Sequence, residues 1–448
     1  MRIAVVGAGI SGLGASFLLS KHHDVTLYEA QARIGGHSNT VDATDEDGTV
    51  IPVDTGFIVY NTVCYPNLIA LFGHLGVATA PTEMSFSVSL DDGRFEYTGN
   101  GVAGLFAQRR NALSLQHWAM IADILRFFRQ ASRIDPAGHD PDESLGNWLA
   151  RHRYGTAFVD RHIVPMGSAI WSTPAARMLD FPVASFARFF ANHGLLKVQG
   201  RPAWRTVVGG SRSYVGKVLA AFRGKIAAGD PVVSIERGAG NVTVRTRSGS
   251  AETYQACVMA CHADEALALI DRPTAAERAL LGPIGYARNE AVLHTDERLM
   301  PRRRRAWTSW NYVGRTQRGG EAESLSVSYW MNRLQPLPTR TQFFVTLNPW
   351  RAPRGTHVIA RIGYAHPVFD GPAMRAQRDL WSLQGDGGLW FAGSYFGYGF
   401  HEDGLQAGLA VAEDLGGHAR PWRVAGDRDR ILAPAARSAS AVQRLAAQ

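Results

Sequence analysis

The stretch Ile3-Ala4-Val5-Val6-Gly7-Ala8-Gly9-Ile10-Ser11-Gly12 joins an apolar strand to a helix through a glycine-rich turn. A second apolar run, Val25-Thr26-Leu27-Tyr28, ends on Glu29. Strand, turn, helix, strand and acid in this spacing form the start of a dinucleotide-binding unit. Gly7 makes the tight turn, Gly9 lets a pyrophosphate approach the backbone, and Gly12 lets the helix lie close to the strand. The phosphates then meet the positive helix end at Ile10 and Ser11. Glu29, with Ala30 beside it, stands where a carboxylate accepts hydrogen bonds from ribose hydroxyls, which argues against a 2′-phosphate.

Next comes Glu29-Ala30-Gln31-Ala32-Arg33-Ile34-Gly35-Gly36-His37. Arg33, Gly36 and His37 suit a second loop laid against the pyrophosphate. These residues resemble the FAD-binding half of the flavin amine oxidase superfamily, which includes protoporphyrinogen oxidases and phytoene-type desaturases and reads E-x-x-x-R-x-G-G-R here. His37 stands where the second arginine normally does, so a titratable imidazole replaces a permanent charge. The resemblance implies FAD, and no second complete glycine fingerprint marks a place for tightly held NAD.

Far downstream, Gly388-Leu389-Trp390-Phe391-Ala392-Gly393-Ser394 reads as a strand ending in glycine, and Phe400-His401-Glu402-Asp403-Gly404-Leu405-Gln406-Ala407-Gly408 as the start of a helix. Asp403 is expected to cap that helix with Gln406 answering back, leaving the amides of Gly404 and Leu405 free. In the superfamily such amides face the flavin pyrimidine edge, near Gly393, where a helix N-terminus stabilises negative charge on the reduced ring. No cysteine lies between Gly393 and Gly408, so FAD is expected to be noncovalent.

The expected fold is α/β with α+β character: a Rossmann-like FAD-binding domain with a discontinuous inserted substrate domain of helices and a mixed or antiparallel sheet. The cofactor segments are residues 1–64, 200–284 and 385–422; the substrate segments are 65–199 and 285–384; residues 423–448 read as a loose tail. The first substrate segment looks mostly helical, and in Leu115–Phe128 the residues Trp118, Ile121, Leu125 and Phe128 share one face. A core-facing helix is expected there rather than one lying on a membrane. Val232–Ile235 and Val242–Thr246 form a hairpin, and by resemblance Val233 gives backbone to the adenine side. Aromatic-rich strands between 285 and 368 would wall a pocket.

Forty-seven Lys plus Arg against 39 Asp plus Glu leave a net charge of +8, with Lys only at 21, 197, 217 and 225. Positive potential favours anionic partners. No zinc, helix-turn-helix or RNA-binding pattern accompanies the charge, so nucleic acid is not expected; an acidic substrate or a peripheral contact with an anionic membrane fits. Arg302–Arg305 reads as a solvated loop. Three cysteines build no disulfide framework and point to a reducing compartment, and Cys257-x-x-x-Cys261-His262 reads as a buried strand rather than a metal site. The N-terminus lacks the basic leader of a signal peptide and nothing spans a membrane. The expected location is cytoplasmic, with the inner face of the cytoplasmic membrane as an extension of it.

Many amine oxidases of the superfamily keep a lysine near flavin N5 in the inserted sheet. No Lys follows Lys225, and His294, in Glu290-Ala291-Val292-Leu293-His294, is the expected substitute. Tyr364 and His366 precede the return to the cofactor domain, and His401 and Glu402 precede its last helix; these are the candidates for reaching the flavin. In Val53-Asp54-Thr55-Gly56-Phe57-Ile58-Val59-Tyr60-Asn61, Ser328-Tyr329-Trp330-Met331-Asn332-Arg333-Leu334-Gln335, Leu347-Asn348-Pro349 and Gly399-Phe400-His401-Glu402-Asp403-Gly404 the chain, from Met1 to about Trp422, resembles a bacterial group labelled predicted NAD/FAD-binding proteins, similar to flavoproteins that modify unsaturated or methylated acyl chains. The resemblance implies an FAD-dependent oxidoreductase that desaturates a fatty acyl chain, free or in a phospholipid, by hydride transfer to N5. The alternatives are an acyl double-bond isomerase, an amine or carotenoid-type oxidase, and a non-catalytic flavin-binding protein. The electron acceptor is not legible.

Overall fold

The computed structural model describes residues 1–432 except 135–139, 141–142, 172–174, 198, 317–321 and 417. Its first layer is a five-stranded sheet in the order Lys225–Ala228, Asp24–Glu29, Arg2–Val6, Ala256–Met259, Leu389–Phe391, every pair parallel. Numbered along the chain this is 3-2-1-4-5, the order that leaves a crevice at the carboxyl end of the first strand. Strands buried on both faces read as continuous apolar runs, as Ala256–Met259 does. Cys257 is fully buried there.

The opening helix, Ile10–Leu19, packs on the closing helix, His401–Asp414. A Cβ on Gly408 would fall 2.1 Å from the Ser11 carbonyl oxygen, so only glycine permits the approach. A three-stranded antiparallel sheet, Val232–Arg237, Val242–Thr246 and Ala251–Tyr254, contains the hairpin and puts Val233, half exposed, on its outer edge.

A seven-stranded mixed sheet forms the second layer: Val358–Pro367, Tyr286–His294, Phe344–Leu347, Ala322–Trp330, Trp310–Thr316, Phe86–Leu90 and Phe95–Thr98. Two of these strands, with Thr79–Thr82 of another sheet, come from the stretch that reads as mostly helical. In Phe86–Leu90 the polar members Ser87 and Ser89 are buried, bonded to Asn311 and Glu96, so the alternation does not mark a wet face.

Beneath the sheet lies an aromatic core with Phe127, Phe158, Phe186 and Phe190 fully buried, each burial worth about 1.5–3 kcal/mol. The helix Leu115–Ala131 is capped by Ser114 Oγ, which accepts from His117 N, and buries His117, Met120, Ile124, Phe127 and Ala131. Trp118 and Leu125, expected on the core face, are exposed instead. Apolar residues on both sides of this helix leave periodicity unable to fix its phase.

Arg303 holds buried Glu96 of the strand Phe95–Thr98 at 2.7 Å and Arg304 pairs with Glu297 at 2.7 Å, so half of the arginine run is engaged with carboxylates of the protein itself. Residues 423–432 do not extend loosely. Arg428 pairs with Glu413 and Asp414, Arg430 Nε lies 2.6 Å from Asp403, and Ile431 is buried. The rest of the expected tail, 433–448, lies outside the described residues. Among the described residues no helix is long and apolar enough to cross a membrane.

Candidate flavin site

The crevice opens at the first glycine turn. A Cβ on Gly12 would sit 1.9 Å from Gly7 O, so the helix can start against the turn only with glycine there. In front of Gly9 nothing lies within 4 Å of a built Cβ, and Gly36 (φ +56°) faces that space from the second loop. Gly7 itself (φ +105°) donates to Tyr28 O at 2.9 Å.

Glu29 Oε2 accepts from Ala8 N at 2.9 Å and Oε1 from Gln31 N at 3.0 Å. A carboxylate has about four acceptor sites, so two remain for ribose hydroxyls. Arg33 is spent on its own loop, donating to Gly36 O at 2.8 Å and Ser38 O at 3.1 Å. It braces the loop that presents His37. Ile10 and Ser11 are buried at the helix start, and Ala30 is exposed at the rim.

Three sequence candidates meet here. The His37 ring stacks on Tyr364 at 4.8 Å and lies 5.2 Å from His366. Its Nε2 is buried without a hydrogen-bond partner. Burial first, then the charges of His366, His262, His401 and Arg33, hold its pKa well below the ordinary histidine value. Tyr364 is fixed by Asn39 Nδ2, which donates to its hydroxyl at 3.1 Å, and by Thr55 Oγ1 at 2.8 Å.

A chain of amides sets the tautomer of His366. Glu290 N donates to Asn348 Oδ1 at 2.9 Å, and Asn348 Nδ2 donates to Asn289 Oδ1 at 2.7 Å. Asn289 Nδ2 then donates to Ala287 O at 3.1 Å and to His366 Nδ1 at 3.0 Å. A backbone carbonyl only accepts, so the amide has one orientation and Nδ1 must be the acceptor. Burial lowers His366 to about 4; the neutral ring therefore carries its proton on Nε2.

The other candidates are engaged elsewhere. His401 stacks on Phe57 at 3.9 Å, and its Nε2 meets Tyr214 OH at 2.8 Å and Ser38 Oγ at 3.0 Å. It supports the second loop from behind. Glu402 is buried and caps the helix Pro66–Leu75, accepting from Asn67 N at 3.0 Å and Leu68 N at 2.9 Å.

His294 Nε2 meets Thr346 Oγ1 at 2.7 Å and its Nδ1 accepts from Asp296 N at 3.0 Å. Because His366 pairs with Ala287 on the same strand, His294 stands seven residues, about 24 Å, along the ladder. It does not replace a lysine beside His366.

The closing helix starts earlier than its sequence suggests. Phe400 is the N-cap and Asp403 occupies N3, accepting from Phe400 N at 2.8 Å, while Gly404 N donates to Phe400 O at 3.2 Å. The open amides at this end thus precede Gly404 and Leu405; those two pack on the opening helix, a Cβ on Gly404 meeting Ser11 Oγ at 2.8 Å and Leu405 lying against Gly14. Gly393 ends the strand before this turn, with the Tyr395 ring too close for any side chain.

One buried acid escaped sequence reasoning. Asp54 accepts from Ser211 N and Ser211 Oγ at 2.8 Å, Thr40 Oγ1 at 2.6 Å and Gln335 Nε2 at 3.0 Å. Burial pushes it up to about 6 against these hydrogen bonds. Its place in Val53-Asp54-Thr55-Gly56, a turn next to the crevice, was the available signal.

The space before Gly9, the spare acceptors of Glu29, the unpartnered His37 Nε2 and two helix N-termini fit an FAD laid from the Glu29 rim to the His37–Tyr364–His366 group. Residues 10–346 match the family described as flavin containing amine oxidoreductase. The chain belongs to the flavin-containing amine oxidoreductases. Their cofactor, FAD, is the cofactor of this enzyme, which is an FAD-dependent oxidoreductase.

No curated protein matches this amine oxidoreductase in sequence. Among solved structures, the CLA-producing fatty acid isomerase from P. acnes is similar at a TM-score of 0.66 and 15% identity, covering 93% of this chain and 98% of that one. Wild-type putrescine oxidase bound to putrescine is similar at 0.65 and 17%, covering 93% and 99%. Cyclohexylamine oxidase from Brevibacterium oxydans gives 0.64 and 16%, with the same coverage. At these identities the likeness is one of fold.

Proposed function

We propose that this amine oxidoreductase dehydrogenates an unsaturated or methyl-branched fatty acyl chain, free or within a phospholipid, on the cytoplasmic side of the cell. The observation that carries the reading is the stacked ring group itself: burial holds the His37 and His366 rings neutral beside Tyr364, and the permanent charge acting on His37 is the Arg33 guanidinium. A cationic amine gains nothing from such surroundings. At the start of the closing helix Phe400 stacks on Phe189 at 4.8 Å and Phe189 on His193 at 3.8 Å, an aromatic surround that suits a hydrocarbon.

FAD, when bound, would supply the hydride acceptor, and the proton lost with the hydride in a dehydrogenation would pass to solvent water. The chain's own part is placement. Tyr364, held by Asn39 and Thr55, and His37 stacked on it make a rigid face against which a carbon can be held in line. His366 presents Nε2–H as a neutral donor, suited to an ester or carboxyl oxygen.

A second reading, migration of a double bond with the hydride taken and returned, is favoured by that same N–H: His366 offers no base at Nε2, and isomerisation requires none. The fatty acid isomerase from P. acnes shares the fold.

The test is anaerobic mixing of the purified protein with a phospholipid extract rich in unsaturated and methyl-branched chains while the flavin absorbance is followed. Bleaching supports dehydrogenation. A shifted double bond without bleaching selects the isomerase. An unchanged extract, with peroxide formed from polyamines in air, sinks both.

A further inference from the structure

The helix Leu115–Ala131 has a second apolar face opposite the one it buries. At 100° per residue Leu115, Trp118, Ala122, Leu125 and Arg129 fall within an arc of about 80°, roughly opposite Met120, Ile124, Phe127 and Ala131. Leu115 is 88% exposed and Leu113, just before the cap, 90%; Val102 on the preceding short helix is 73% exposed, and Trp118 and Leu125 about half. Five of the thirteen large exposed hydrophobic residues among those described thus fall between residues 102 and 125. Isolated exposed leucines need no explanation, but a contiguous strip does. Trp118 is held in place, its Nε1 donating to Ala112 O at 2.9 Å and its ring against Phe106 at 5.0 Å.

The charges beside the strip have one sign. Residues 102–133 contain Arg109, Arg110, Arg126, Arg129 and Arg133, and a single acid, Asp123. Asp123 is neutralised by Arg126 at 2.8 Å and accepts from Gly155 N at 2.9 Å. Arg109, Arg129 and Arg133 are exposed.

We propose that this face docks on a phospholipid bilayer bearing anionic headgroups. Leu113, Leu115, Trp118 and Leu125 enter the boundary between headgroups and acyl chains, and the arginines lie over the phosphates. An apolar strip bordered by arginine, with tryptophan at its edge, is the pattern of a helix lying in the interface plane. The proposal is independent of what the flavin oxidises.

The test is sedimentation of the full-length holoprotein with phosphatidylcholine vesicles prepared with and without phosphatidylglycerol. Binding is expected with phosphatidylglycerol and much less without it. The double variant Leu113→Asp/Leu115→Asp should lower the partition coefficient at least tenfold. Arg109→Gln/Arg129→Gln should lower it about 25-fold on anionic vesicles, fivefold for each arginine at about 1 kcal/mol apiece, and high salt should mimic that loss. Unchanged flavin content and melting temperature show that the variants fold. Wild-type protein left in the supernatant with anionic vesicles overturns the proposal. So does an aspartate variant that binds as well as wild type, because the overall positive charge then accounts for the binding. A dimer that the aspartate variant splits, with no vesicle binding, assigns the face to a second copy of the chain and also overturns it.

Discussion

The paired strands Tyr286–His294 and Val358–Pro367 carry a histidine toward each end of their ladder, His366 at the flavin end and His294 at the far end. Burial lowers both to about 4, so titration does not distinguish them. Partners do. His294 uses both ring nitrogens, on Thr346 and Asp296, whereas His366 receives a bond at Nδ1, and the proposed reading draws on its Nε2–H. A depressed histidine pKa therefore reports burial and by itself marks no functional ring.

The largest effect expected is on rate at the flavin end. His366→Ala, by removing the donor that positions the substrate oxygen, should slow anaerobic flavin reduction by acyl substrate about 10²-fold with flavin content retained; reduction at the wild-type rate would erase the distinction between the two rings. At the far end the loss should be in stability. His294→Ala leaves Thr346 and Asp296 N without their partner in a buried polar core, and urea denaturation should register roughly 2–4 kcal/mol while flavin reduction per bound flavin stays unchanged.

Acid should treat the two alike. Both folded pKa values lie below the unfolded value of 6.5, so between pH 6.5 and 4 the unfolded chain binds more protons, and stability is lost as pH falls through that window. From pH 7 to 5 each ring costs about 2 kcal/mol, and His294→Gln and His366→Gln should each flatten the decline by that amount. A decline unaltered in either variant would place the acid sensitivity in other groups. The smallest effect tests the amide chain. Asn289→Leu should slow flavin reduction about tenfold by freeing the His366 ring, and nitrogen NMR should report loss of the single Nε2–H tautomer; a tautomer unaffected by the change would show that Asn289 does not set it.

What the sequence makes legible follows the range of the interaction. The glycine turn can be read because Gly7 and Gly12 answer to backbone a few residues away, or to the one strand beside them. The tautomer chain cannot, because its bonds join residues 59 and 77 positions apart, and lone asparagines on strands carry no periodic signal. Asp403 is an intermediate case: as N3 rather than N-cap it makes an equally local bond, and a shift of three residues moves the open amides away from Gly404 and Leu405. The exposed leucines of Leu115–Ala131 mislead for another reason. Hydrophobicity records a wish to leave water and not which neighbour grants it.

The opening and closing helices are packed on each other through Gly408 and Ser11, and the last strand of the parallel sheet is Leu389–Phe391. During synthesis the glycine turn leaves the ribosome early and waits through almost four hundred residues for the helix that completes its cradle. Until then the opening helix, buried along its whole length in the finished protein, has an uncovered greasy side, the condition in which chaperones engage a nascent chain. A message cut short before that helix would yield a polypeptide with an intact nucleotide fingerprint and no means of keeping flavin, and quality control would meet it colourless.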